Sequence, residues 1–240
     1  MFIQTRKLTS SRGVRAYVDQ GGLTLLPPEG TPEQIVVFLH GIHGRGEDWM
    51  WLADVWRDFL PRAVFLFPNA TFPSQVRPEG HVWWNISFNE ARLRRDVARV
   101  GPMLMELLDA QLDRYALNPG AMILGGFSQG AILALHVGTH WNAPLAGILC
   151  YSGVLASLPR SRFRGRPMPP VLLSYGTDDK IIPAAMLGNT GRLLRKGRCD
   201  IFERAAIGSG HIVDRAGASL GGELMRNWFA CPNPVRNRPK

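Results

Sequence analysis

Cysteine is scarce in this chain. Cys150, Cys199 and Cys231 are its only three among 240 residues, odd in number and widely spaced. That excludes a disulfide framework and points to a reducing compartment, so a cytoplasmic location is expected. Long apolar runs are missing too. No stretch of about 18 apolar residues occurs, so no transmembrane segment is expected. Met1 to Arg15 carries Arg6, Lys7, Arg12 and Arg15 where a signal peptide would be continuously apolar. Acidic residues are outnumbered 19 to 28, giving a formal charge of +9. Such a charge attracts polyanions, yet the sequence has no zinc-ligand spacing, basic heptad region or RNA-recognition signature, so no specific nucleic-acid partner is expected. Internal repeats and low-complexity linkers are absent as well.

What is present suits one sizeable core. A chain of this length with 45% hydrophobic residues can bury roughly 70–75% of its unfolded surface, so a single domain spanning 1–240 is expected. A hairpin is expected from Val14 to Asp19 and Leu23 to Leu26. After it, short apolar runs at Gln34 to Leu39, Ala63 to Phe67, Ala121 to Leu124, Gly147 to Tyr151, Val171 to Tyr175 and Cys199 to Phe202 read as strands. Helical periodicity separates them. Trp49, Leu52, Val55, Trp56 and Phe59 mark a helix over Asp48 to Leu60, its tryptophans read as core. Leu93, Val97, Val100, Leu104, Leu108 and Leu112 mark another from Asn89 to Tyr115, which Gly101-Pro102 should bend or divide. Its Arg92, Arg95 and Arg99 form a hydrated face. Further helices are expected near Ala184 to Lys196 and Ala218 to Phe229. Strands alternating with helices imply an α/β fold, a mostly parallel central sheet with helices on both faces.

Gly126-Phe127-Ser128-Gln129-Gly130 carries the chemistry. A buried strand precedes it and an Ala/Leu-rich helix follows, the context in which Gly-x-Ser-x-Gly lifts a serine oxygen onto a strained strand-to-helix turn. A serine hydroxyl needs a base, and the base needs an orienting acid. His40, His43 and His81 precede the serine, and His136 and His140 sit on its own helix. His211, in the loop after the last expected strand, therefore fits the order serine, acid, histidine of an α/β-hydrolase fold. The strand Val171 to Tyr175 leads into two adjacent carboxylates, Asp178 and Asp179. The spacing of Asp179 from Gly176 and Pro183 suits a carboxylate turned back toward the serine, which leaves Asp178 as a turn residue. The backbone amides of Gln129 and of Ile42, in the loop after Leu39-His40-Gly41, are the candidate donors to a developing oxyanion. His40 reads as a loop residue packed under the site. His136 and His140 lack a third ligand, so no metal site is assigned.

With these residues assembled, the chain resembles the carboxylesterase, phospholipase and acyl-protein thioesterase family of α/β-hydrolases. The resemblance runs from about Val36 to Phe229 and rests on Gly126-Phe127-Ser128-Gln129-Gly130, Leu39-His40-Gly41 with Gly44 and Gly46, Phe67-Pro68-Asn69-Ala70, Trp83-Trp84 and Gly176 through Pro183. It implies a serine esterase with Ser128, Asp179 and His211 as its triad, Ile42 and Gln129 as its oxyanion hole, and no cofactor. Acyl thioesters and lysophospholipids are alternative substrates of the same machinery. A catalytically silent basic binding module is the competing class. Trp83 and Trp84 are the expected substrate contacts, lining an acyl or alcohol pocket or packing beneath their loop; Asn85 stands where the family usually has Asp. The expected partner is a small-molecule ester or thioester. An anionic group on it would be met by Arg160, Arg162, Arg164 and Arg166, and a homodimer is left open.

Overall fold

The computed structural model describes residues 6–9, 15–19, 21–85, 89–142, 144–158, 168–182 and 184–231. The expected hairpin forms from β2 (Arg15–Asp19) and β3 (Gly22–Leu25), and β1 (Arg6–Thr9), which the mixed N-terminal sequence did not announce, adds antiparallel to it. β4 (Gln34–Leu39) and β5 (Ala63–Pro68) open the parallel region. β6 (Phe72–Pro73) and β7 (His81–Val82) make a separate short antiparallel pair. β8 (Met122–Phe127), β9 (Gly147–Tyr151), β10 (Val171–Gly176) and β11 (Ile201–Ala206) complete a nine-stranded sheet in the order β1-β2-β3-β5-β4-β8-β9-β10-β11. From β5 to β11 every neighbour is parallel.

Helices cover both faces, and strand alternation decides which side chains meet them. On β4, Ile35, Val37 and Leu39 point into the cluster shared with α2 (Glu90–Tyr115) and α3 (Gln129–His140). Val36 and Phe38 point the other way, toward α1 (Met50–Trp56) and α5 (Arg215–Ala230). α4 (Ala184–Lys196) packs on β10 and β11. α3 is buried on all sides from Gln129 to Thr139, as a helix laid over the central strands must be. This is the α/β-hydrolase fold expected from the sequence. Among the described residues, no helix is long and apolar enough to cross a membrane.

Three expectations need correction. Of the bend or division expected at Gly101-Pro102, division does not occur: α2 runs unbroken for 26 residues from an Asn89 side-chain cap on the Arg92 amide. Its apolar stripe is buried from Val97 to Leu112, with Leu93 partly buried against it, and supplies the packing that outweighs the proline penalty. The expected helix from Asp48 to Leu60 is a 3-10 turn, Gly46–Trp49, followed by the shorter α1. The last strand lies later than Cys199 to Phe202. It is an edge strand whose Phe202 and Glu203 stay accessible, so an apolar run does not mark it, while Cys199 is buried just before it.

Candidate active site

β8 delivers Phe127 to the carboxyl edge of the sheet, and the chain reverses into α3 through Ser128, whose φ of 53° and ψ of −116° are strained for a residue with a side chain. The Ser128 amide donates to the Tyr151 carbonyl at 2.9 Å, and its carbonyl accepts from the Ile132 amide at 3.0 Å, which holds the turn. Glycine is obligatory on either side. A methyl at Gly130 would overlap the Leu39 and His40 carbonyls, and one at Gly126 the Gly130 backbone. The result is the elbow the motif implied, with Ser128 at its apex.

Asp179 follows β10 and His211 follows β11, so both emerge at the same edge. Their loops are stitched together by Asp178 N–H to the Ser209 carbonyl (2.9 Å), Thr177 N–H to the Ala206 carbonyl (3.0 Å) and Gly208 N–H to Thr177 Oγ1 (2.9 Å). His211 Nδ1 lies 2.7 Å from Asp179 Oδ2. The other carboxylate oxygen accepts from the amides of Ile181 and Ile182, each at 2.9 Å. Burial pushes the Asp179 carboxyl up, but these amides and His211 outweigh it and hold it below the usual carboxylate range. An ionised acceptor at Nδ1 fixes the tautomer and leaves Nε2 free to take a proton. Asp178 instead accepts from its neighbour Thr177 as a turn residue. The His211 ring is 4.7 Å from that of Phe127, the residue before Ser128.

The loop after β4 brings Gly41 against the elbow. A β-carbon built there would stand 3.5 Å from Ser128 Cβ, so the Gly41 backbone passes beside the serine. His40, fully buried, anchors this loop. Its Nε2 accepts from the Ala70 amide at 3.0 Å, which leaves Nδ1 as the donor to the Gly41 carbonyl at 2.6 Å. Burial lowers its pKa to about 4, keeping the ring neutral. A second tie runs through the β6–β7 hairpin: Arg77 forks onto Asp48 at 2.6 and 3.0 Å, and Arg45 reaches Glu79 at 2.9 Å. Gln129 stands at the first turn of α3. Its side-chain oxygen accepts from the Trp83 amide (3.0 Å) and its nitrogen donates to the Trp84 carbonyl (2.8 Å).

Trp83 and Trp84 are therefore placed behind the elbow. They are 5% and 1% exposed, Trp83 donating its indole N–H to the His40 carbonyl at 2.9 Å. The open space lies elsewhere, in a cleft of about 340 Å³ lined by Ile42, Trp49, Trp51, Phe127, His211 and Ile212 among others. Trp49 thus does double service, packing on Phe38 and facing the cleft. Sequence reading did not find Trp51 or Ile212. Trp51 stands off the apolar stripe of its helix, and it packs on the core cluster as well as lining the cleft. Another cavity, of about 140 Å³, lies beside Gln111 and Arg114 and touches none of the candidate residues. Arg204 on β11 forks onto Asp214 at 2.9 and 2.7 Å, and Asp214 caps α5 through the Gly217 amide, bracing the segment that carries His211. His136 and His140 stack at 4.0 Å, with His140 Nδ1 on the His136 carbonyl. The Arg160 to Arg166 loop lies outside the described residues.

Known proteins resemble this chain in sequence and in fold. The sequence model of the Phospholipase/Carboxylesterase family matches residues 22–214. Acyl-protein thioesterase 1 of Schizosaccharomyces pombe is 30% identical over 180 residues, covering 71% of this chain and 79% of that protein. The crystal structure of esterase PE8 matches with a TM-score of 0.79 at 28% identity, covering 86% of this chain and 98% of its own. That of Arabidopsis thaliana SOBER1 matches at 0.69 and 20% identity, over 82% and 99%, a likeness of fold.

Proposed function

Because the chain belongs to the phospholipase/carboxylesterase family, we propose that it is a serine hydrolase cleaving carboxylic esters, with Ser128 as nucleophile, His211 as base and Asp179 as orienting acid. The observation that carries this reading is the 2.7 Å bond from His211 Nδ1 to Asp179, with the His211 ring 4.7 Å from that of Phe127, the residue before a serine held at positive φ. Ser128 Oγ attacks the carbonyl carbon as its proton passes to His211 Nε2, and Asp179 stabilises the imidazolium. The Gln129 and Ile42 amides receive the oxyanion, each such donor lowering the barrier by about 3–4 kcal/mol. Collapse expels the alcohol with the proton from His211. Water, activated by the same histidine, then releases the acid and regenerates Ser128.

Acyl thioesters are the second reading, favoured by the relative named acyl-protein thioesterase. A panel of esters, thioesters and lysophospholipids matched in acyl group ranks the substrates. Turnover of esters that falls by about 10⁴ or more in Ser128→Ala supports the proposal. Unchanged turnover in that variant refutes it.

A further inference from the structure

We propose that the cleft beside His211 is the leaving-group subsite, and that it selects esters of bulky, neutral, apolar alcohols, aromatic ones above all. This rests on the hydrolase reading above and specifies its substrate. When the tetrahedral intermediate collapses, the bond between carbonyl carbon and alcohol oxygen breaks, and that oxygen takes the proton held on His211 Nε2. The departing oxygen therefore lies within hydrogen-bond reach of His211, and the group it carries must extend into space that His211 borders. The cleft is that space.

Its walls are apolar and flat. Phe127 lies 5.1 Å from Trp49 and 4.7 Å from His211, ring to ring, with Trp51 and Ile212 beside them. Ile212 is 56% exposed and gains little from the core where it stands. A hydrocarbon ring in the cleft would cover it, and aromatic walls favour an aromatic guest. Charge points the same way. Among the described residues no lysine or arginine lines the cleft, and the one carboxylate there, Asp48, is already held by Arg77. Among the described lining residues an anionic alcohol meets no lysine or arginine, whereas a neutral one surrenders no solvation that the cleft fails to replace.

The test uses acetates of methanol, benzyl alcohol and naphthylmethanol, which all pass through one acetyl-enzyme, so differences in kcat/KM arise in acylation. Wild type is expected to prefer the naphthylmethyl ester over the methyl ester by about tenfold or more, and Trp51→Ala to remove most of that preference. Ile212→Ser, at an exposed position, is expected to reduce it by about threefold and guards against misfolding of the tryptophan variant. The rate of acetyl-enzyme hydrolysis and the profile across acyl lengths in a methyl-ester series should keep their wild-type form. A shifted acyl-length profile with the alcohol preference intact would overturn the proposal by placing the acyl group in the cleft. An alcohol preference unaltered in both variants overturns it too. Wild type that labels with a fluorophosphonate yet shows no alcohol preference fails this inference alone; folded wild type that neither labels nor cleaves any ester fails the hydrolase reading itself.

Discussion

Acidification should weaken the fold through His40, and glutamine at that position should remove the effect. His40 is buried with its Nε2 committed to the Ala70 N–H, so protonation sets a donor against a donor and charges a ring shielded from solvent. Burial, opposed by the bond to the Gly41 carbonyl, lowers its pKa from 6.5 to about 4. The sign follows. The native state binds fewer protons than the unfolded chain between these values, so the stabilisation is complete above the unfolded pKa and is lost as pH falls toward about 4. At about 1.4 kcal/mol per pH unit the full loss is about 3 kcal/mol, of which about 2 kcal/mol has gone by about pH 5. His40→Gln keeps an acceptor for Ala70 and cannot be protonated. Urea unfolding measured from about pH 8 to about pH 4 should show wild type losing about 2–3 kcal/mol more than the variant. His136, also lowered to about 4 by burial, contributes to both proteins and cancels in the difference. Parallel stability curves for the two would refute the assignment of His40 as a neutral, doubly bonded anchor of the Ile42 loop.

Three other perturbations address the site. Asp179→Asn should lower kcat by about 10⁴ while Asp178→Asn changes it by less than about threefold, measured on one ester with circular dichroism to establish folding. Arg204→Met leaves Asp214 without its fork and should lower kcat by about tenfold, with a loss of about 1–3 kcal/mol in urea unfolding; an unchanged kcat would mean that the brace does not position His211. Gly130→Ala forces a methyl into the Leu39 and His40 carbonyls and should cost about 3 kcal/mol or more in thermal unfolding, or prevent folding.

Where local chemistry and tertiary need coincide, the sequence is readable. Gly126 through Gly130 works this way: a buried strand, a turn that tolerates no β-carbon at Gly126 or Gly130, and a helix rich in small apolar residues all follow from a few adjacent letters. The pairing of Asp179 with His211 was legible from chain order, since each follows a parallel strand and must surface at the same edge. Edge and packing effects were not. β11 keeps Glu203 and Arg204 because one of its sides faces solvent, so its apolar signal is weak. α2 passes through Pro102 because its stripe from Val97 to Leu112 is buried, a gain invisible to local propensity. Trp83 and Trp84 drew attention as paired aromatics in a long loop, yet the Gln129 side chain folds their backbone inward. The cleft joins Ile42 and Trp51 to Ile212, which lies far along the chain and shares no motif with them, and only the fold brings them together.

The central claim is that Ser128 is made nucleophilic by His211 held on Asp179. Intact-protein and peptide mass spectrometry after brief exposure to a fluorophosphonate measures this directly. One adduct, located on Ser128, absent in Ser128→Ala and formed about 10³-fold or more slowly in His211→Ala, is the expected result. A folded wild-type protein that takes no adduct, or one that labels equally fast without His211, would contradict it.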